Sequence, residues 1–159
     1  MILSKSIAVY LNLAACKLKQ HTAATLRKSG VDLTPEQFLL IDLLWNEGPM
    51  SQQTMADAMM KDKNSITKLV DALEKKGLVV RCRDMEDRRS NILTLTQKAQ
   101  DMKFGAKEFG IAMLEDTLKG ISEEELQAFL ITLGKLCDNI DACQAASEQP
   151  SSVSYSTSK

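Results

Sequence analysis

The sequence predicts a mostly α-helical protein that carries one small β-hairpin. Apolar residues recur at helical spacing through most of the 159 residues, which indicates several amphipathic helices. The runs at 78–83 and 91–95 are instead typical of strands, and the polar segment between them fits a hairpin tip. The length suits one domain, or one domain with an appended helical region.

The composition gives no signal of a chain that is basic throughout. The formal net charge is −1, and 44% of the residues are hydrophobic, which is ordinary for a globular protein. Residues 61–89 nevertheless hold nine Lys or Arg against six Asp or Glu, an excess of three positive charges. Any affinity for nucleic acid must therefore come from local charge.

The first predicted helix covers residues 4–29, and residues 29–32 end it. Its apolar stripe consists of Ile7, Leu11, Ala14, Ala15, Leu18, Thr22 and Leu26. The segment Leu13-Ala14-Ala15-Cys16 is similar to a lipoprotein cleavage box, but Asn12 interrupts the apolar run and only Lys5 supplies the positive flank. We therefore expect a continuous helix here.

Two further helices follow, each with a clear start signal. Thr34 is the expected N-cap of the second helix, with Pro35 at its first position and Gln37 closing a capping box. Residues 46–49 end that helix, and Ser51 caps a short third one. The inward residues of the two helices are expected to be Phe38, Ile41, Leu44, Trp45, Met55 and Met59.

The fourth predicted helix begins near Asp62, and Gly77 stops it at a position that suits a left-handed backbone. Its apolar face consists of Ile66, Leu69, Val70 and Leu73, at positions i, i+3, i+4 and i+7. The opposite face holds Asn64, Ser65, Thr67, Lys68 and Asp71. Such side chains hydrogen-bond to base edges or phosphates, so the pattern predicts a helix that reads the major groove.

A hairpin follows this helix directly, with strands at 78–83 and 91–95 and a polar tip at 84–90. Two short helices followed by a hairpin predict a winged helix-turn-helix. Thr96 then caps another helix that runs to about Lys119.

Gly120 interrupts the chain, and Ser122 opens a final helix with an acidic first turn at 123–125. The apolar face of that helix consists of Leu126, Phe129, Leu130, Leu133, Leu136, Cys137 and Ile140. From residue 147 the chain is rich in Ser, and we expect it to be disordered.

The apolar stripes at the two chain ends predict a dimer. Helices at 1–33 and 98–146 lie outside the expected DNA-binding domain at 34–97. They bury their apolar stripes most easily by packing together and against a second copy of the chain. A two-fold dimer would place two reading helices about 34 Å apart and would require a pseudo-palindromic operator in double-stranded DNA.

Two segments resemble the MarR family of winged helix-turn-helix regulators. Residues 65–81, Ser-Ile-Thr-Lys-Leu-Val-Asp-Ala-Leu-Glu-Lys-Lys-Gly-Leu-Val-Val-Arg, look like its recognition helix and first wing strand. Residues 84–90, Asp-Met-Glu-Asp-Arg-Arg-Ser, followed by Leu-Thr-Leu-Thr at 93–96, resemble its wing signature. The similarity is specific over roughly Thr34–Ala99. It implies a homodimeric bacterial transcription regulator of the cytoplasm, with two winged lobes on a shared helical base.

The resemblance also implies roles for wing residues. Arg89 matches the arginine that enters the minor groove, and Asp87 matches its orienting acidic partner. The physical case is independent, because a narrow minor groove has an enhanced negative potential that attracts a guanidinium. Arg88 is expected either to contact phosphate or to remain solvated.

The remaining expected contacts lie on the third and fourth helices. Asn64, Ser65, Thr67 and Lys68 are the expected base-reading residues, with Lys63 as a phosphate contact. Ser51 and Gln52 are candidates for DNA backbone contacts through the N-terminus of the third helix, although Ser51 also fits a plain cap.

The signal that controls the protein is less clearly encoded. The resemblance implies either a small aromatic or anionic effector or a thiol oxidised by peroxide. Cys16 is the thiol candidate because it lies near the expected base and beside Lys17 and Lys19, whereas the alternative is a small core residue.

An enzyme, a metal site and a cofactor are not expected. No nucleophile stands beside a base, and no glycine-rich phosphate loop occurs. His21 is the only histidine, and the four cysteines are scattered along the sequence. The alternative function is a winged-helix module that binds another protein, which Asp71 and Asp84 on the expected DNA side favour. Salt dependence would separate the two, because phosphate contacts make binding steeply dependent on salt.

Overall fold

The computed structural model describes residues 2–83, 91–103 and 114–148, and it has the predicted mostly helical fold with a small sheet. The chain divides into two compact units, Met1–Glu115 and Asp116–Lys159. The elements of the first unit are α1 (Ile2–Lys28), α2 (Pro35–Glu47), β1 (Met50–Ser51), α3 (Gln52–Ala58), α4 (Lys63–Lys75), β2 (Val79–Arg83), β3 (Asn91–Leu95) and α5 (Gln97–Asp101). Residues 114–118 are helical, and α6 (Glu123–Glu148) lies in the second unit.

The helix starts follow local capping chemistry, as predicted. The Thr34 hydroxyl accepts from the Gln37 N–H at 3.2 Å, and the Gln37 side chain accepts from the Thr34 N–H at 3.1 Å. This is the expected capping box of α2. Ser51 caps α3 and Thr96 caps α5, and these caps were also predicted. Each cap satisfies backbone donors that a helix start otherwise leaves without an intrahelical partner.

The two helices of the helix-turn-helix end in the same way but on different residues. At the end of α4, Gly77 has a φ of +69°, and the Leu78 N–H donates to the Leu73 carbonyl at 3.0 Å. At the end of α3, Met60 has a φ of +49°, and the Lys61 N–H donates to the Ala56 carbonyl at 2.9 Å. The predicted left-handed cap at Gly77 is confirmed, whereas Met60 adopts this backbone despite its side chain.

The core of the first unit forms around the apolar face of α4. Ile66, Val70 and Leu73 are fully buried, while Leu69 is partly buried against the same cluster. Trp45 of α2 is 8% exposed, and its indole N–H donates to the Ala99 carbonyl of α5 at 3.0 Å. The predicted inward faces of α2, α3 and α4 therefore meet in one core, which fixes the outward face of α4.

The sheet has three strands, in the order β1-β3-β2, where the sequence predicted a two-stranded hairpin. The predicted pairing of β2 with β3 is confirmed, with Arg81 opposite Leu93. The third strand, β1, pairs Met50 with Leu93 and Ser51 with Ile92. A two-residue strand has no periodicity to read, so this strand was missed.

The predicted first helix is confirmed over nearly its whole length. Its apolar stripe is only partly covered, since Leu26 is fully buried whereas Ile7 and Leu18 are 45% and 44% exposed. Because α1 is continuous from Ile2 to Lys28, the segment that is similar to a cleavage box is helical.

The second unit is dominated by α6, and Ser122 caps it as expected. The Ser122 hydroxyl accepts from the Glu125 N–H at 3.2 Å, and the Glu125 carboxylate accepts from the Ser122 N–H at 2.9 Å. Large apolar side chains of this helix are exposed, with Phe129 at 53% and Leu130 at 57%. The helix extends two residues past the predicted boundary at 146, and residues 149–159 lie outside the described part of the chain.

Hydropathy along the helices is moderate. Within residues 2–83, 91–103 and 114–148, none of the helices combines the length and the apolar character that crossing a bilayer requires.

Candidate nucleic-acid interface

α4 presents three of the predicted DNA-contacting side chains to solvent. Asn64 and Lys68 are exposed on the side away from the buried residues of the helix, and Lys63 is exposed at its first position. Asp62 caps the helix, and its carboxylate accepts from both the hydroxyl and the N–H of Ser65, at 2.6 and 2.9 Å. These hydrogen bonds lower the pKa of Asp62, so the cap is ionised at neutral pH and anchors the start of the helix.

Two other predicted base-reading residues are engaged within the lobe. The Ser65 hydroxyl serves the cap at Asp62. The Thr67 hydroxyl donates to the Lys63 carbonyl at 2.9 Å and accepts from the Gln52 amide at 3.1 Å. Both residues are partly exposed, so they still border the surface that Asn64 and Lys68 form.

The two residues expected near the DNA backbone occupy different environments. Ser51 accepts from the Thr54 N–H at 3.0 Å, which is the plain capping role. Gln52 is only 7% exposed and lies beneath α4, where it bonds to Thr67 and also accepts from Arg81 Nε at 3.3 Å. Its side chain therefore links α3, α4 and β2.

Arg81 is the residue of this region that sequence reasoning missed. Its Nη2 donates to Asp71 Oδ1 at 2.7 Å and to the Thr67 carbonyl at 3.2 Å, and its Nη1 donates to Glu74 Oε2 at 2.5 Å. The signal was present in the strand alternation, because Arg81 shares a strand face with the buried Val79. A cation on an inward strand face predicts a buried or half-buried acidic partner.

A second charged cluster lies beside the turn that leads into α4. Glu36 of α2 accepts from Lys19 of α1 at 2.9 Å and from Lys61 at 3.1 Å. The hydrogen bond from Lys19, followed by that from Lys61, lowers the pKa of Glu36. Lys61 immediately precedes the Asp62 cap, so this cluster ties the first helix to the start of α4.

Other predicted site residues are placed as follows. Asp87, Arg88 and Arg89 lie in the segment 84–90, outside the described residues. Cys16 is exposed on α1, as are the other three cysteines on their elements.

The chain is similar to a known regulator family. A family model described as the MarR family matches residues 33–90, from the residue before the α2 cap to the end of the wing tip. Among curated relatives, the HTH-type transcriptional regulator YfiV of Bacillus subtilis is 36% identical over 98 residues. That alignment covers 62% of this chain and 61% of the relative, so the chain spans less than two thirds of the relative's length.

Solved structures with the same fold include two at or above 25% identity. A MarR-family regulator from Rhodococcus sp. RHA1 has a TM-score of 0.74 at 25% identity, covering 84% of this chain and 94% of that one. The Streptococcus pneumoniae protein FabT, solved in complex with DNA, has a TM-score of 0.71 at 26% identity, covering 88% and 99%.

Proposed function

We propose that this chain is a member of the MarR family, whose model matches residues 33–90, and that it is a homodimeric, sequence-specific DNA-binding regulator of transcription. The observation that carries the proposal is the build of α4. Its apolar face is fixed in the core by Ile66, Val70 and Leu73, while Asn64 and Lys68 project on the opposite side. A helix held in this way is suited to enter a major groove without rearranging. The structural relative solved with DNA supports the same reading.

The roles proposed for the exposed side chains follow from their chemistry. Lys63 lies at the first position of α4 and Lys68 near the middle of its outward face, and both carry positive charge, which suits phosphate oxygens. Asn64 presents both a donor and an acceptor, the combination that pairs with adenine in the major groove. We also propose that Arg89, oriented by Asp87, enters the minor groove beside this helix, with Arg88 at a neighbouring phosphate.

The experiment that tests DNA binding is selection of bound duplexes from a random pool, followed by a salt titration on the enriched sequence. An inverted repeat with half-sites about one helical turn apart and a steep salt slope is the expected result. Failure to enrich any motif would overturn the proposal. A binding partner other than DNA, with affinity indifferent to salt, would favour the protein-interaction module instead.

The proposal that the chain is a dimer is supported by exposed apolar side chains near both chain ends. Tyr10 of α1 is 71% exposed, and Phe129 and Leu130 of α6 are 53% and 57% exposed, which is costly to leave in water. Sedimentation equilibrium should give twice the chain mass of 17.6 kDa. Replacing Phe129 and Leu130 by Asp should lower that mass, whereas the same change at the exposed polar Gln127 should not. A monomeric wild-type chain would contradict the proposal.

The regulatory part of the proposal is repression relieved by a small aromatic or anionic effector, and its support is the similarity to the MarR family. A panel of aromatic carboxylates, added to the protein–operator complex, should include compounds that release DNA. Cys16 gives the thiol alternative a test, because its side chain is exposed on α1. Release by peroxide from the wild type but not from the Cys16→Ser variant would favour that alternative.

A further inference from the structure

Asp71 raises an electrostatic problem for a helix that approaches DNA. It lies on the exposed side of α4, three residues after Lys68, and half of its side-chain surface is accessible. A carboxylate at this position repels phosphate, and Glu74, three residues further on and one third exposed, adds to the effect.

Arg81, on the neighbouring strand β2, forms ion pairs with both carboxylates. Its guanidinium lies within 2.7 Å of Asp71 and 2.5 Å of Glu74, and its own side chain is 21% exposed. A planar fork that serves several acceptors at fixed angles holds its charge close to them. The Arg81 N–H also donates to Glu74 at 3.1 Å, so the strand backbone and α4 are joined at the same point.

The guanidinium is itself held from below. Gln52 accepts from Arg81 Nε at 3.3 Å and donates to Thr67 at 3.1 Å, and the Thr67 carbonyl accepts from Arg81 Nη2. The guanidinium is therefore held in place by partners on α3, α4 and β2. In this it differs from a surface charge whose side chain moves freely in solvent.

We propose that Arg81 is a positioning residue for DNA binding, which neutralises Asp71 at the face of α4 that meets the operator. This inference rests on the proposed function. The charge of Arg81 cancels the repulsion that Asp71 would exert on phosphate, and its fork fixes α4 relative to the strand that leads into the wing. The residue contributes to affinity without reading a base.

The test is a double-mutant cycle on the affinity for the selected operator. Arg81→Gln should weaken binding about tenfold, because it leaves Asp71 uncompensated near phosphate. Asp71→Asn alone should bind at least as tightly as the wild type. The double variant R81Q/D71N restores the charge balance and should return to within about threefold of wild-type affinity.

Arg83 supplies the matched control, because it lies two residues further along the same strand and is exposed. Arg83→Gln removes the same charge. In that variant, Asp71→Asn should change the affinity for the operator by no more than it does in the wild type. The fluorescence of Trp45, the only tryptophan, checks that each variant is folded at the assay temperature. If Arg81→Gln does not fold, Arg81→Lys keeps the charge without the fork and should retain most of the affinity.

Four results would overturn the inference. They are wild-type affinity in Arg81→Gln, failure of Asp71→Asn to rescue it, weaker binding by Asp71→Asn alone, and a loss of about tenfold or more in Arg81→Lys. The wild-type titration separates the two levels of the argument. If the wild type selects no operator, the proposed function fails, and if it binds while the cycle fails, only the role of Arg81 fails.

Discussion

The amide of Gln52 in α3 donates a 3.1 Å hydrogen bond to the hydroxyl of Thr67 in α4, across the contact between the two helices of the helix-turn-helix. Gln52 is 7% exposed, and its amide oxygen also accepts from Arg81. A buried amide that satisfies both of its ends fixes how the helices cross, because any other crossing leaves a polar atom without a partner.

Gln52→Ala should therefore destabilise the fold. The change removes both hydrogen bonds, and we expect a loss of about 1–2 kcal/mol in the free energy of unfolding. Urea unfolding followed by Trp45 fluorescence measures it. The adjacent Gln53 is the control, because its amide donates to Asp57 one turn along the same exposed face. Gln53→Ala should change stability by less than about 0.5 kcal/mol, and equal losses in the two variants would contradict the role given to Gln52.

The left-handed residues that end α3 and α4 predict opposite effects of two substitutions. Met60 has a φ of +49° and is 86% exposed, so Met60→Gly should relieve backbone strain without loss of packing. We expect a gain of about 0.5–1 kcal/mol in the free energy of unfolding, after the entropy that Gly adds to the unfolded chain.

Gly77→Ala should lower the free energy of unfolding by a similar amount. A Cβ at Gly77 meets no heavy atom within 4 Å, so the cost comes from the backbone conformation, with its φ of +69°. Thermal unfolding of both variants checks the pair. A Gly77→Ala variant more stable than the wild type would contradict the claim that this left-handed backbone disfavours a side chain.

Local chemistry explains why much of the fold was predictable. Thr34 and Gln37 form a capping box with Pro35 at the first helical position, all within four consecutive residues, and Gly77 closes α4 by a rule that needs no knowledge of the rest of the chain. The periodicity of Ile66, Val70 and Leu73 likewise fixed which face of α4 is buried, and with it which side chains are exposed.

Tertiary contacts explain what the sequence did not reveal. Arg81 donates hydrogen bonds to Asp71, ten residues away in the sequence, and to Gln52, twenty-nine residues away. No local sequence pattern pairs such positions. The strand β1 is two residues long, so only its partner in β3 defines it. Glu36 also bonds to lysines on two other segments, which the capping pattern of α2 does not encode.

The pH dependence of stability should carry a contribution from Glu36. Hydrogen bonds from Lys19 and Lys61 lower its pKa in the folded state below that of an unperturbed glutamate. A depressed pKa stabilises the fold above the unfolded value, and the stabilisation is lost as pH falls through the folded value.

Glu36→Gln should therefore cost less than about 1 kcal/mol at pH 7, because the side chain is 36% exposed and the pairs are screened. The difference from wild type should shrink below pH 4.5 and also in high salt. Urea unfolding at pH 7 and at pH 3.5 measures it, and a difference that grows on acidification would have the wrong sign.

The exposed residues of α4 should separate into two classes when each is replaced by Ala. Lys68→Ala should weaken binding to all duplexes alike and lower the salt slope by about 1, because a phosphate contact releases a counterion whatever the sequence. Asn64→Ala should instead cost about 1–3 kcal/mol on the selected operator, relax the preference at one base pair and leave the salt slope unchanged.

Competition binding on operators with single base changes, at two salt concentrations, measures both quantities in one series. Lys75 is the matched control for charge, because it is exposed on the last turn of α4, about two turns from Lys68. Lys75→Ala should have a smaller effect on the salt slope than Lys68→Ala, since the N-terminal part of a recognition helix lies deepest in the groove. If Asn64→Ala lowers affinity equally for every sequence, or if Lys68→Ala alters only one base preference, the assignment of reading and phosphate-binding roles on this helix is wrong.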